Sequence, residues 1–127
     1  VWKGRCLLLG AVLAFAVLSA AGILSQEVSA DSHVLEVQLD EWTVGFDELE
    51  LAAGRTQFQV VNNGRMPHNF VIEWTNADGE RLALETPVLQ PGEEYRLIVS
   101  LAPGTYQALC TISGHADLGM SAPIVVQ

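Results

Sequence analysis

Leu35, Val37 and Leu39 alternate with Glu36, Gln38 and Asp40, the two-residue period of a strand that buries one face and gives the other to water. The alternation recurs. Phe58 and Val60 stand against Gln57 and Gln59, and this strand runs into Asn62-Asn63-Gly64, residue types that tolerate positive φ in a turn. His68 to Trp74 predicts a third strand. Arg81 to Leu89 predicts a weaker strand or a loop, interrupted by Pro87 and lying between turns at Asn76-Ala77-Asp78-Gly79 and Pro91-Gly92. Tyr95, Leu97, Val99 and Leu101 form another inward face. Pro103-Gly104 then turns the chain into Thr105 to Cys110, with Tyr106, Ala108 and Cys110 on one side, and Ile124 to Val126 closes the pattern. Beyond residue 30 there is no helical stripe of ten or more residues. The fold class predicted is all-β, a Greek-key two-sheet antiparallel β-sandwich preceded by an N-terminal hydrophobic helix. Trp42, Phe46, Phe58, Phe70 and Trp74 are its expected core aromatics.

The N-terminal helix is expected from a run that is apolar all round. Lys3 and Arg5 precede 18 positions, Leu7 to Leu24, with no charge among them. That is long enough to span a bilayer and longer than the roughly 7 to 15 residues of a signal's apolar core. Val28-Ser29-Ala30 nevertheless offers small residues for cleavage before Asp31. Residues 1–30 are thus a signal peptide or a membrane anchor, and 31–127 a folded domain. Both alternatives export the domain, because positive residues stay inside. It is expected to be periplasmic or otherwise extracytoplasmic, and tethered to the membrane if the leader is uncleaved.

Composition narrows the chemistry. A chain of 127 residues, half of them apolar, makes one small domain and not a disordered segment. Residues 31–127 carry 14 acidic side chains against 4 arginines and no lysine, a balance that excludes nucleic acid as a partner and favours a basic one. Two cysteines are too few for a disulfide scaffold or a closed four-cysteine zinc site. Cys6 belongs on the inner side and Cys110 on the outer, so topology disfavours a bond between them. Cys110 is then an unpaired thiol in an oxidising compartment, where metal coordination is one means of protecting it.

Four residues separate Cys110 from His115 and four more separate His115 from Met120, with glycines at Gly114 and Gly119. Two histidines and a cysteine in a plane, with a weak axial methionine, define the blue-copper electron-transfer site. His68 supplies the second histidine if the loops meet at one end of the sandwich. Singly, each residue has a plain explanation: Cys110 as a small buried hydrophobe, Met120 as core filler, either histidine as a hydrogen-bonded or surface group. His33 lacks any such context and is expected to face solvent.

In order along the chain, Asn62-Asn63-Gly64 through His68-Asn69-Phe70, then Pro103-Gly104-Thr105-Tyr106, then Cys110 through Met120 resemble the ligand regions of the cupredoxins, the small blue-copper proteins that include plastocyanin, azurin and auracyanin. The loop spacing and the leader are nearer to auracyanin-like members than to plastocyanins. The resemblance implies one copper ion, Cu(I)/Cu(II), held by His68, Cys110, His115 and Met120. It also implies that Asn69 helps pin the two ligand loops together. His115 is expected to present an edge among Met66, Pro67, Ile112 and Leu118, an apolar patch where a redox partner docks. The implied function is one-electron carriage at the outer face of a membrane, with cytochromes or membrane electron-transfer complexes as partners and no enzymatic reaction. A binuclear copper centre is excluded because its loop needs two cysteines. A closed site holds no activated water, which disfavours hydrolysis. Two alternatives stay open: an exported copper-storage or copper-delivery protein, and a non-metal interaction β-sandwich.

Overall fold

The computed structural model describes residues 32–48 and 50–127. The leader expected at residues 1–30, its cleavage position, the domain boundary and Cys6 lie outside the described residues. Among the described residues, no helix is long and apolar enough to cross a membrane.

Among the described residues, nine strands form two sheets: β1 (His33–Asp40), β2 (Thr43–Phe46), β3 (Glu50–Leu51), β4 (Gly54–Asn62), β5 (Val71–Thr75), β6 (Arg81–Glu85), β7 (Glu94–Leu101), β8 (Gly104–Leu109) and β9 (Ser121–Val126). The first sheet has the order β2-β1-β4-β7 and the second β3-β9-β8-β5-β6. Most neighbours are antiparallel, as expected. Two pairs are not: β1 runs parallel to β4, and β3 parallel to β9. The physical reason is the path. After the β1–β2 hairpin the chain crosses to the second sheet for β3 and returns to lay β4 beside β1 in the same direction.

The period-two pattern fixes which side faces in. Leu35, Val37 and Leu39 of β1 are fully buried, as are Phe58 and Val60 of β4, Ala108 of β8 and Ile124 of β9. Phe58 packs on Phe70 with ring centroids 5.4 Å apart, bridging the sheets at the centre of the core. Trp42, Phe46 and Trp74 are partly buried against it. The expected strand from His68 begins later, at Val71, because His68 makes a single bridge to Leu89 instead of joining the ladder. The weak segment ending at Leu89 resolves into β6 and a loop, with Pro87 beyond the strand end. The alternation in Thr43–Phe46 and Glu50–Leu51 is too short to have marked β2 and β3.

Tyr106, at the start of β8, donates its hydroxyl to Ala102 O at 2.9 Å and so anchors the Pro103-Gly104 turn. At the other end of the same strand the chain reaches Cys110.

Candidate metal centre

β8 and β9 pair up to Leu109 opposite Ser121, so residues 110–120 are the loop of one hairpin, and Cys110, His115 and Met120 all lie on it. The loop closes on its own backbone. Cys110 N–H donates to Met120 O at 3.1 Å, Met120 N–H to His115 O at 3.1 Å, and His115 N–H to Ile112 O at 3.0 Å. Gly114 at φ 81° and Gly119 at φ 128° supply the left-handed backbone that such tight winding needs.

His68 is placed by different means. Its N–H donates to Leu89 O at 3.1 Å, and its carbonyl oxygen accepts the reverse bond from Leu89 N–H at 2.7 Å. Asn62, wholly buried at the end of β4, donates its amide to Met66 O at 2.9 Å and Leu89 O at 2.8 Å, and accepts from Gly64 N–H at 2.9 Å. A buried amide paired in this way braces the loop that carries His68. The expectation of positive φ at Asn62-Asn63-Gly64 is not met: the left-handed residues among those described do not include any of the three. Gly64 serves by its missing side chain. A Cβ there would overlap the Glu41 carboxylate and come within 2.8 Å of His68 Nε2.

The two segments converge. His68 Nδ1 lies 3.2 Å from His115 Nδ1, and Cys110 Sγ lies 3.6 Å from the same nitrogen. One donor atom from each of the three falls within 4.8 Å of the other two. His68 and Cys110 are fully buried and His115 keeps 5% of its surface. Donors sharing one ion through bonds of about 2.0–2.3 Å stand roughly 3.2–3.8 Å apart, so the spacing fits a single metal ion. Two imidazoles with one soft thiolate suit copper, and His68, Cys110 and His115 are positioned to bind one copper ion. Met120 is also fully buried in the core and hydrogen-bonds through its backbone to both Cys110 and His115.

Asn69 joins the two ligand segments directly. Its amide donates to Thr111 Oγ1 at 2.8 Å and its carbonyl oxygen accepts from Thr111 N–H at 2.9 Å. Of the four residues expected around His115 as an apolar patch, Met66, Pro67 and Leu118 are exposed, while Ile112 is partly buried against the core. His33 pairs with Glu48 at 3.0 Å and is partly exposed.

Sequence reasoning missed a third contribution, from the β1–β2 turn. Trp42, expected as a core aromatic, also sets its ring edge-on to His115 with centroids 4.9 Å apart and to His68 at 6.5 Å. Glu41 Oε1 accepts from the Arg65 and Met66 amides at 2.8 and 2.9 Å and lies 3.0 Å from His68 Nε2. Hydrogen bonds from the Met66 amide, the His68 ring and the Arg65 amide, with the His68 charge, hold the Glu41 carboxyl below its ordinary 4.5, against an opposing effect of desolvation. No local pattern marks Glu41, because its partner stands 27 positions away.

A family model described as a cupredoxin-like domain matches residues 7–122. Comparison with curated proteins finds no match. Among solved structures the chain is similar to dithionite-reduced auracyanin of the photosynthetic bacterium Roseiflexus castenholzii, 22% identical with a TM-score of 0.60 over 76% of this chain and 98% of that one. Auracyanin A, a blue copper protein of Chloroflexus aurantiacus, is 23% identical with a TM-score of 0.61 over 76% and 99%. Reduced rusticyanin is 20% identical with a TM-score of 0.58 over 74% and 78%. At these identities the likeness is one of fold.

Proposed function

Because the chain belongs to the cupredoxin-like domain family, we propose that it is a mononuclear blue-copper protein that carries single electrons at the outer face of a membrane. The observation that carries this reading is the buried convergence of His68, Cys110 and His115, drawn from two segments 47 positions apart. A bound copper ion supplies a one-electron couple between its two oxidation states. The chain supplies stillness. The hairpin loop, the Asn69–Thr111 pair and the Asn62 brace hold the donors in place, so that little ligand movement accompanies a change of charge. Met120 is the weak fourth ligand in this reading and, with Asn69, tunes the site.

His115 is the ligand with residual exposure, which favours electron exchange on its side of the domain. Met66, Pro67 and Leu118, with the edge of Ile112, form the docking surface there for a cytochrome or a membrane electron-transfer complex. The net negative domain steers a basic partner. The outer-face placement rests on the leader pattern at residues 1–30, which tethers the domain if uncleaved.

Adding Cu(II) to the protein and recording visible and spin-resonance spectra tests the reading. An intense thiolate-to-copper band is expected, and Cys110→Ser is expected to abolish it; a band that survives the substitution overturns the ligand assignment. Slow electron exchange with cytochromes, together with ready loss of Cu(I) to a chelator, would instead identify a carrier of the ion itself.

A further inference from the structure

A histidine binds a metal through one ring nitrogen only if that nitrogen carries no proton, and the partner of the other nitrogen decides which one is free. Here the partner of His68 Nε2 is a carboxylate oxygen at 3.0 Å, and the nitrogen that faces His115 is Nδ1. We propose that Glu41 is a positioning residue for the metal centre: its carboxylate accepts a hydrogen bond from His68 Nε2–H, which keeps the proton on Nε2 and leaves Nδ1 as the donor to the metal, and its charge lowers the potential of the bound copper.

Several features show that this contact is built into the fold. The same Oε1 accepts the Arg65 and Met66 amides, so the carboxylate is held by three donors from the His68 loop. Its side chain is 26% exposed while the imidazole it meets is fully buried, so the contact joins a buried ligand to the rim of the site. Gly64 leaves open the space that the pair occupies, and any Cβ there would collide with it. Glu41 and the neighbouring Trp42, which lies against His115, bring the β1–β2 turn onto both histidines.

The sign of the effect follows from charge. A negative group one imidazole away from the ion stabilises the higher oxidation state more than the lower, so the couple sits at a lower potential than it would with a neutral acceptor. Removing such a partner of a ligating histidine typically costs about 10- to 100-fold in metal affinity. A loss about tenfold larger for Cu(II) than for Cu(I) corresponds to a rise of ~59 mV for one electron.

The inference about potential rests on the copper reading above, and the inference about His68 is testable without the metal. In the copper-free full chain at about pH 8, where an ordinary imidazole is neutral, ¹⁵N spectra should show His68 as the single Nε2–H tautomer. Glu41→Ala should lose that preference, and Gly64→Ala should do the same by displacing the carboxylate. Glu41→Gln keeps an oxygen acceptor without the charge, so it should retain the tautomer while raising the copper potential, an effect that a purely bracing role would not produce. A parent protein with His68 protonated at Nδ1, or an Ala variant with an unchanged tautomer, overturns the positioning role. Potentials equal to the parent's in both Glu41 variants, with the blue band intact, overturn the electrostatic role. Should the parent itself show no thiolate-to-copper band, the electron-carrier reading and the effect on potential fall together, while the tautomer result still decides how His68 is held.

Discussion

Cys110, His115 and Met120 sit on one hairpin loop that closes on its own backbone, whereas His68 sits on a segment held almost entirely by residues from elsewhere in the chain. The hairpin loop is set by β8 and β9 pairing up to its base and by glycines at the positions of positive φ. The His68 segment depends on Leu89, on the Asn62 side chain and on Glu41, which lie on the β6–β7 connection, the end of β4 and the β1–β2 turn. The difference teaches where each half of the site is vulnerable. Backbone conformation guards one half, and long-range hydrogen bonds guard the other.

The largest expected effect lies where the local loop touches the distant turn. Gly119 needs φ 128°, and a Cβ on it would stand 2.8 Å from Trp42 O, a backbone atom that has little freedom to move. Gly119→Ala should therefore cost about 3 kcal/mol, the sum of left-handed strain and overpacking. Urea unfolding measures it, and a loss no greater than that of Gly114→Ala would show that the contact with Trp42 is unimportant. Next comes the brace of the other half. Asn62→Ala removes the bond to Met66 O and one of two bonds at Leu89 O and at Gly64 N–H, which keep His68 N–H and Leu39 O, and this should cost about 2 kcal/mol and weaken copper binding through His68. A stability loss with copper affinity unchanged would separate the brace from the ligand. Gly114→Ala is milder, because nothing lies within 4 Å of its added Cβ and only the φ of 81° is strained. About 1 kcal/mol is expected, with the visible spectrum preserved.

The smallest effect concerns acid, and it acts only on the His68 half. Glu41 has its carboxyl lowered from 4.5 by folding, so its ionised form contributes stability above the unfolded value and loses that contribution as pH falls through the folded one. Denaturation of the copper-free protein should be insensitive to this group from neutrality down to about 4.5 and sensitive below it. Glu41→Gln should flatten that acid limb. An identical limb in the variant would assign it to other carboxylates.

Much of this was legible in the residues themselves. The alternation in β1, β4 and β8 gave the buried faces correctly, since side chains on a pleated strand must point to opposite sides. The ligand loop was equally plain, because Cys110, His115 and Met120 are neighbours in sequence and their residue types suit one metal. β2 and β3 escaped notice at four and two residues, too short for a period to show. The Asn62-Asn63-Gly64 turn was located correctly for the wrong reason, since Gly64 is needed for space and not for a left-handed backbone.

By itself the sequence determined the sandwich, the donor types and the loop that bears three of the proposed ligands, because period, residue chemistry and short spacing are local properties of a chain. Only the tertiary structure decided that His68 faces His115, that Asn69 meets Thr111, and that Glu41 and Trp42 reach the two histidines. Those contacts join residues 26 to 73 positions apart, and a contact across such distances exists only once the sheets have packed and brought their ends together.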